Sequence, residues 1–203
     1  MSKTPPPLSR RELNKLATRE AIFEAAMSLF AKQGFEATPI DEIASASGVS
    51  KGTVFNYFPT KEAIVGYVAI RQLTWLVEQR ERLLEGENTV RGKFETLFGT
   101  LVERLSGEAE SLDVALGLTL QRIGKAVEPH AAEVAFMQLL IEIASEGMAS
   151  GELRRDLAPL QVAMLVLAMY AGTMTTSAQA LRGDRLKQQV VTHIGLLFEG
   201  LSA

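Results

Sequence analysis

Residues 38–61 read TPIDEIASASGVSKGTVFNYFPTK, and this order of residues predicts two short helices joined by a glycine turn. Thr38 is placed as an N-cap, Pro39 suits the first helical position, and Asp41 and Glu42 set negative charge in the positive first turn. Ile40, Ile43 and Ala44 recur at helical spacing and give this helix one apolar face, while Ser45, Ala46 and Ser47 are small enough for close approach. Gly48 stops it, because glycine accepts the positive φ that a helix C-terminus needs, and Val49 turns back toward the core. Ser50 then caps a second helix of about two turns, residues 51–58, ended by Pro59. A helix this short holds only by packing. Val54 and Phe58, four apart, face inward. Lys51, Gly52, Thr53, Phe55, Asn56 and Tyr57 are left for the outer sides, and Gly52 lets a backbone approach a groove wall. Thr60 caps the next helix, and Lys61 stands in its first turn, where the helix dipole favours an acid. A cation placed against that preference points to an external anion such as a phosphate. Together these features have the grammar of a helix-turn-helix, in which the second helix presents its side chains to DNA. Ordinary helical hairpins share the caps and the glycine stop, so spacing alone leaves that alternative open.

Gly34, Phe35, Thr38, Ile43, Ala44, Gly48, Val49, Ser50, Gly52, Thr53, Phe55, Tyr57, Phe58, Lys61 and Glu62 agree in order and spacing with a known pattern. With the preceding helix, from about residue 15 to 33, the segment resembles the N-terminal domain of TetR-family transcriptional repressors. The match takes in roughly a quarter of the chain and is specific, because positions of different chemistry agree together. Two departures stand out: Ser47 replaces the usual alanine before the glycine, and Phe55 replaces the more frequent tyrosine. The resemblance implies that Thr38, Thr53, Tyr57 and Lys61 hold phosphates, and that Lys51, Gly52 and Asn56 lie nearest the base edges. Phe55, without a hydroxyl, is reduced to packing or to contact with a thymine methyl. Phosphate contacts set position and base contacts set sequence preference.

The whole chain has 203 residues and a net charge of −3, which excludes a generic polyanion binder. Its halves differ. Residues 1–61 hold eight Lys and Arg against six acids, net +2, and the remainder holds 13 against 18, net −5. A small DNA-reading head on an acidic body has this asymmetry. Residues 1–9 include Pro5, Pro6 and Pro7 and no apolar run, so a disordered tail is expected before a helix begins near Arg10. Arg10, Arg11 and Lys15 suit a basic arm on a phosphate backbone, with a solvated tail as the plainer alternative. No apolar signal-peptide core is present, and a cytoplasmic protein is expected. The chain has no cysteine, and His130 and His193 are far apart without a second ligand at metal spacing, so no metal and no cofactor are expected. No catalytic constellation appears, so an enzyme is not expected.

In the first helix, Ile22, Ala25, Ala26, Leu29 and Phe30 form the stripe that braces the two following helices. Beyond residue 59, the apolar periodicity predicts six more helices, at about 60–84, 89–105, 112–123, 129–148, 159–181 and 184–200. The expected fold is therefore all-α with about nine helices. It comprises a tail at 1–9, a three-helix DNA-binding domain at 10–59 and a larger helical domain for ligand sensing and dimerisation at 60–203. The 159–181 helix is apolar almost all round and calls for burial on every side, yet its uninterrupted run is too short for a bilayer span, so no membrane partner is expected. The last helix adds Val190, Val191, Ile194, Leu197, Phe198 and Leu201, and Gly195 allows close packing. These two helices would build a four-helix bundle with a second copy. TetR-like proteins are similar in dimerising through their final two helices, which presents two recognition helices to a near-palindromic duplex.

By the same resemblance, a small molecule occupies a cavity among the helices after Thr60 and moves the helix that begins there. Candidate lining residues are Trp75, Phe94, Phe98, Phe136, Met137, Leu140, Met169 and Thr173, whose plain alternative is core packing. Walls of methionine and phenylalanine favour a largely apolar ligand. The expected function is a sequence-specific, double-stranded-DNA-binding repressor released by such an effector. The alternative is a helical ligand-binding or scaffolding protein whose helix-turn-helix has lost DNA affinity.

Overall fold

A computed structural model of the chain describes residues 9–106, 130–177, 181 and 183–201. Among the described residues there are nine helices and no β-strand. The tail up to residue 8 and the helix expected at 112–123 lie outside them. Two compact units divide between Tyr67 and Val68.

The first unit holds α1 (Arg10–Gln33), α2 (Ile40–Ser47), α3 (Lys51–Tyr57) and the start of α4 (Lys61–Glu78). Ser9 opens α1 with a capping box: its side chain accepts from the Glu12 N–H, and the Glu12 carboxylate accepts from the Ser9 N–H at 2.8 Å. The Ser9 hydroxyl also donates to the Glu12 carboxylate at 2.6 Å, and this bond, together with the one from the Ser9 N–H, holds the Glu12 carboxyl below its ordinary range. Ile22, Phe23, Ala26 and Phe30 are buried, whereas Ala25 and Leu29 of the expected stripe are only half-buried. α2, with Ile43 and Ala44 buried, packs on α1 and on α3, whose Val54 is buried. Burying a side chain of this kind contributes about 1.5–3 kcal/mol, and this is what makes helices of eight and seven residues persist.

In the second unit α4 continues to Glu78 and is followed by α5 (Arg80–Leu83). One helix was expected across 60–84, but Gln79, at φ −95° and ψ 5°, interrupts it. Next come α6 (Val90–Ser106), α7 (Ala131–Ser150), α8 (Pro159–Ser177) and α9 (Asp184–Leu201). His130 caps α7 by accepting the Ala132 N–H on Nδ1 at 3.2 Å. The last four helices form a ring of contacts, α6 on α7 and α9, and α8 on α7 and α9. Phe94, Phe98, Leu140, Val166, Val190 and Ile194 are among the residues that fill it.

By length and composition alone α8 would cross a bilayer, yet it packs on α7 and α9. It is not covered on every side, as its composition led us to expect. Leu160, Met164 and Leu165 are about half exposed, at 49%, 54% and 44%. On α9, Val190, Ile194, Phe198 and Leu201 point into this unit, and the exposed apolar residue is Leu196.

Candidate nucleic-acid interface

The reading head is built from the caps outward. Gly48 sits at φ 70° and ψ 24° as the left-handed terminus of α2, and the Val49 N–H donates to the Ala44 carbonyl at 3.0 Å. Ser50 then caps α3, accepting the Thr53 N–H at 3.1 Å. Its hydroxyl also bonds the Thr53 hydroxyl at 2.8 Å, so one of the expected phosphate holders is engaged locally. Val54 and Phe58 are buried as anticipated. Lys51, Gly52, Phe55 and Asn56 are exposed and share the outer surface of α3, while Thr53 and Tyr57 are half-buried at its margins. Phe55 is 42% exposed, so it is free for contact and is not consumed by packing. The Lys51 ammonium pairs with Asp41 at 2.8 Å, with both side chains more than half exposed. Such a pair is worth about 0–1 kcal/mol, little enough for a nucleic acid to exchange it.

Two expected phosphate holders are placed differently. Thr38 is not the N-cap of α2: Pro39, at φ −79° and ψ 152°, is extended and takes that position without a side-chain cap. The Thr38 hydroxyl donates instead to the Gly34 carbonyl at 2.8 Å, and the residue is 1% exposed. It closes the bend after α1 and presents no hydroxyl outward. Lys61 turns its ammonium back onto the same bend, donating to the carbonyls of Phe35 (2.5 Å), Thr38 (3.2 Å) and Glu36 (3.4 Å) and lying 4.3 Å from the Phe35 ring centroid. Three carbonyls outside the helices match the three hydrogens of an ammonium, and that of Phe35 also accepts the Thr38 N–H at 3.3 Å. Thr60 caps α4 as expected, accepting the Ala63 N–H at 3.2 Å.

A cluster that spacing had not singled out completes the head. Tyr67 of α4 packs edge-on against Phe23 and Phe58, both at 5.5 Å, and donates its hydroxyl to Glu20 at 2.8 Å. The Arg19 guanidinium lies 5.6 Å from the Tyr67 ring centroid and 6.0 Å from that of Tyr57.

This geometry agrees with comparison to known proteins. The family model described as bacterial regulatory proteins, tetR family, matches residues 22–68, and that of a YsiA-like protein, C-terminal region, matches residues 70–197. The chain belongs to the TetR family. It is accordingly a DNA-binding transcriptional regulator with an N-terminal helix-turn-helix. A similar solved structure is FadR of Thermus thermophilus, a TetR-family transcriptional repressor in complex with lauroyl-CoA. It is 30% identical, with a TM-score of 0.70, over 91% of this chain and 95% of that one. The fatty acid metabolism regulator protein of Bacillus subtilis is 24% identical over 157 residues, which is 76% of this chain and 80% of its own length. The repressor DhaR of a Mycobacterium species is 24% identical over 90% of this chain and 91% of its own length.

In the larger unit of this TetR-family chain, the candidate ligand residues fall into separate groups. Phe98 and Phe136 stand 5.8 Å apart in a T-shaped pair, and Phe98 is also 4.9 Å from Tyr170, a residue spacing had not singled out. Burial pushes the Tyr170 phenol above its ordinary range, which keeps it neutral. Leu140 is buried, Met137 is half-buried, and Phe94 pairs with Phe198 at 5.4 Å. Thr173 donates to the Met169 carbonyl at 2.9 Å and its hydroxyl lies 2.8 Å from Nδ1 of His193. Trp75 is not a plain apolar wall: the Arg104 guanidinium covers it at 3.7 Å and donates to Gln72 at 2.5 Å. An open groove of about 260 Å³ is lined by Thr89, Arg91, Glu152, Phe198 and Glu199 among others; none of the eight candidates lines it, although Phe94 packs against its Phe198.

Proposed function

We propose that this chain is a repressor that reads a near-palindromic duplex as a homodimer and is released from it by a ligand with a long apolar part, such as the acyl chain of a fatty acyl-CoA. The observation that carries the DNA-reading half is α3 itself: Val54 and Phe58 anchor it from within, while Lys51, Gly52, Phe55 and Asn56 are displayed together. We assign base contacts to Lys51, Gly52 and Asn56, methyl contact to Phe55, and phosphate contacts to Thr53 and Tyr57. Thr38 and Lys61 shape the bend that positions α2. DNA reading falls to residues 10–59, and sensing and dimerisation to residues 60–203. The regulator acts where the chromosome lies, in the cytoplasm, and does no catalysis of its own.

Support for an acyl ligand comes from the lauroyl-CoA held by the Thermus relative at 30% identity. The aromatic cluster of Phe98, Phe136 and Tyr170 suits an acyl chain. Release requires that the ligand bind one of two dimer states better, since equal affinity shifts nothing.

The test is selection of random duplexes by the purified protein, followed by stoichiometry on any enriched sequence and titration with lauroyl-CoA. The expected result is a near-palindrome bound by an even number of chains and released by lauroyl-CoA. No enrichment by folded dimer would overturn the DNA half. Enrichment without any response to acyl-CoA of any chain length would overturn the ligand half alone.

A further inference from the structure

We infer that Arg19 is a contact to the DNA backbone, held ready for a phosphate by two tyrosine rings. This rests on the reading of α3 given above. Arg19 lies on α1, and its guanidinium is placed over the rings of Tyr57, on the recognition helix, and Tyr67, on α4. A guanidinium has five N–H donors, no acceptor and no accessible neutral form. Yet the Arg19 Nε is buried without an acceptor, and among the described residues no carboxylate pairs with the side chain. A buried donor left unmet is destabilising and calls for a reason.

The arrangement of the neighbours supplies one. Ring faces hold a planar cation without using its in-plane hydrogens, so the donors stay available to a planar or tetrahedral anion. The residue is only half-buried overall, so its exposure falls beyond the covered Nε. Lys51 and Lys61, by contrast, already have acceptors, in Asp41 and in three backbone carbonyls. Arg19, unlike Lys51 and Lys61, is thus a cation beside α3 with no hydrogen-bond acceptor among the described residues. A phosphate reaching the Tyr57 hydroxyl would come alongside it. The two residues then form one clamp, the phenol giving one hydrogen bond and the guanidinium supplying charge and further donors. Tyr67, tied to Glu20 at 2.8 Å, forms the fixed side of the clamp.

The experiment measures affinity against potassium chloride concentration for the full-length wild type, Arg19→Gln and Arg19→Lys. The probes are the duplex enriched by selection and a mixed-sequence duplex. Arg19→Gln is expected to weaken both duplexes, roughly tenfold, and to lower the magnitude of the log K against log salt slope by about 0.9. Its base preference should be unchanged. Arg19→Lys should keep the slope, because it keeps the charge. An unchanged slope in Arg19→Gln would overturn the contact and leave Arg19 as a support for Tyr57. A readout independent of variant folding comes from the wild type: its Arg19 guanidinium resonance should shift on adding duplex, and a stationary resonance would also overturn the assignment. Wild-type protein without salt-dependent binding to either duplex would overturn the regulator reading itself, a distinguishable failure.

Discussion

Lys61 carries one charge and three N–H donors, and the carbonyls of Phe35, Glu36 and Thr38 take them all. A duplex phosphate would have to compete with three acceptors already in place. We therefore predict that Lys61→Gln lowers stability by about 1–2 kcal/mol, read from denaturant midpoints at unchanged m-value. The salt slope for operator binding should stay as in the wild type, and a decrease of about 0.9 would return Lys61 to the phosphate contacts. The partners of Lys61 lie 23 to 26 residues back, and local spacing carries no record of such distances. Ser50 and Thr60 were legible for the opposite reason, since each accepts from an N–H three residues on. Thr38 shows the limit even of local reading. A hydroxyl before a helix bonds forward or backward, and here it bonds back to Gly34. Arg19 and Tyr67 escaped because their roles arise where α1, α3 and α4 meet, and Tyr67 and Glu20 are 47 residues apart.

At the scale of the element, α3 separates what folding needs from what DNA reading needs. A Cβ added at Gly52 would meet only the Ser50 hydroxyl, at 3.9 Å, which is ordinary contact. Nothing in the fold therefore requires glycine there, and alanine should stabilise this helix by about 0.5–1 kcal/mol. Gly52→Ala is expected to melt higher than the wild type while binding the enriched duplex less tightly, because the added methyl keeps the backbone from the groove wall. Unchanged affinity in a stabilised Gly52→Ala protein would remove Gly52 from the contact surface. Apolar periodicity located α6 and α7 well because each has neighbours along its buried face. The break at Gln79 left no mark, since neither glycine nor proline stands at the junction. For α8, composition told that most faces are apolar but not which of them a neighbour covers. That depends on where α7 and α9 come to rest.

At the scale of the whole molecule, the uncovered residues of α8 and α9 matter most. Leu160, Met164 and Leu165 on one helix and Leu196 on the other expose apolar surface that a second copy would bury. Leu197, part of the apolar set expected on the last helix, is half-buried, so a charge there would disturb folding and association together. Met164 is 54% exposed and separates the two. We predict that Met164→Glu keeps the helical content and melting cooperativity of the wild type but sediments as a monomer. Each monomer would still carry an intact α3, so its contacts to a half-site survive. What disappears is the linkage that makes the second contact intramolecular, a loss on the order of a hundredfold or more in affinity for the full site. The same variant should bind a half-site duplex as the wild type does, because that encounter never used the second head. If Met164→Glu sediments as a dimer, the dimer axis does not pass along this stripe. Monomers that bind the full site undiminished would instead show that one recognition helix suffices.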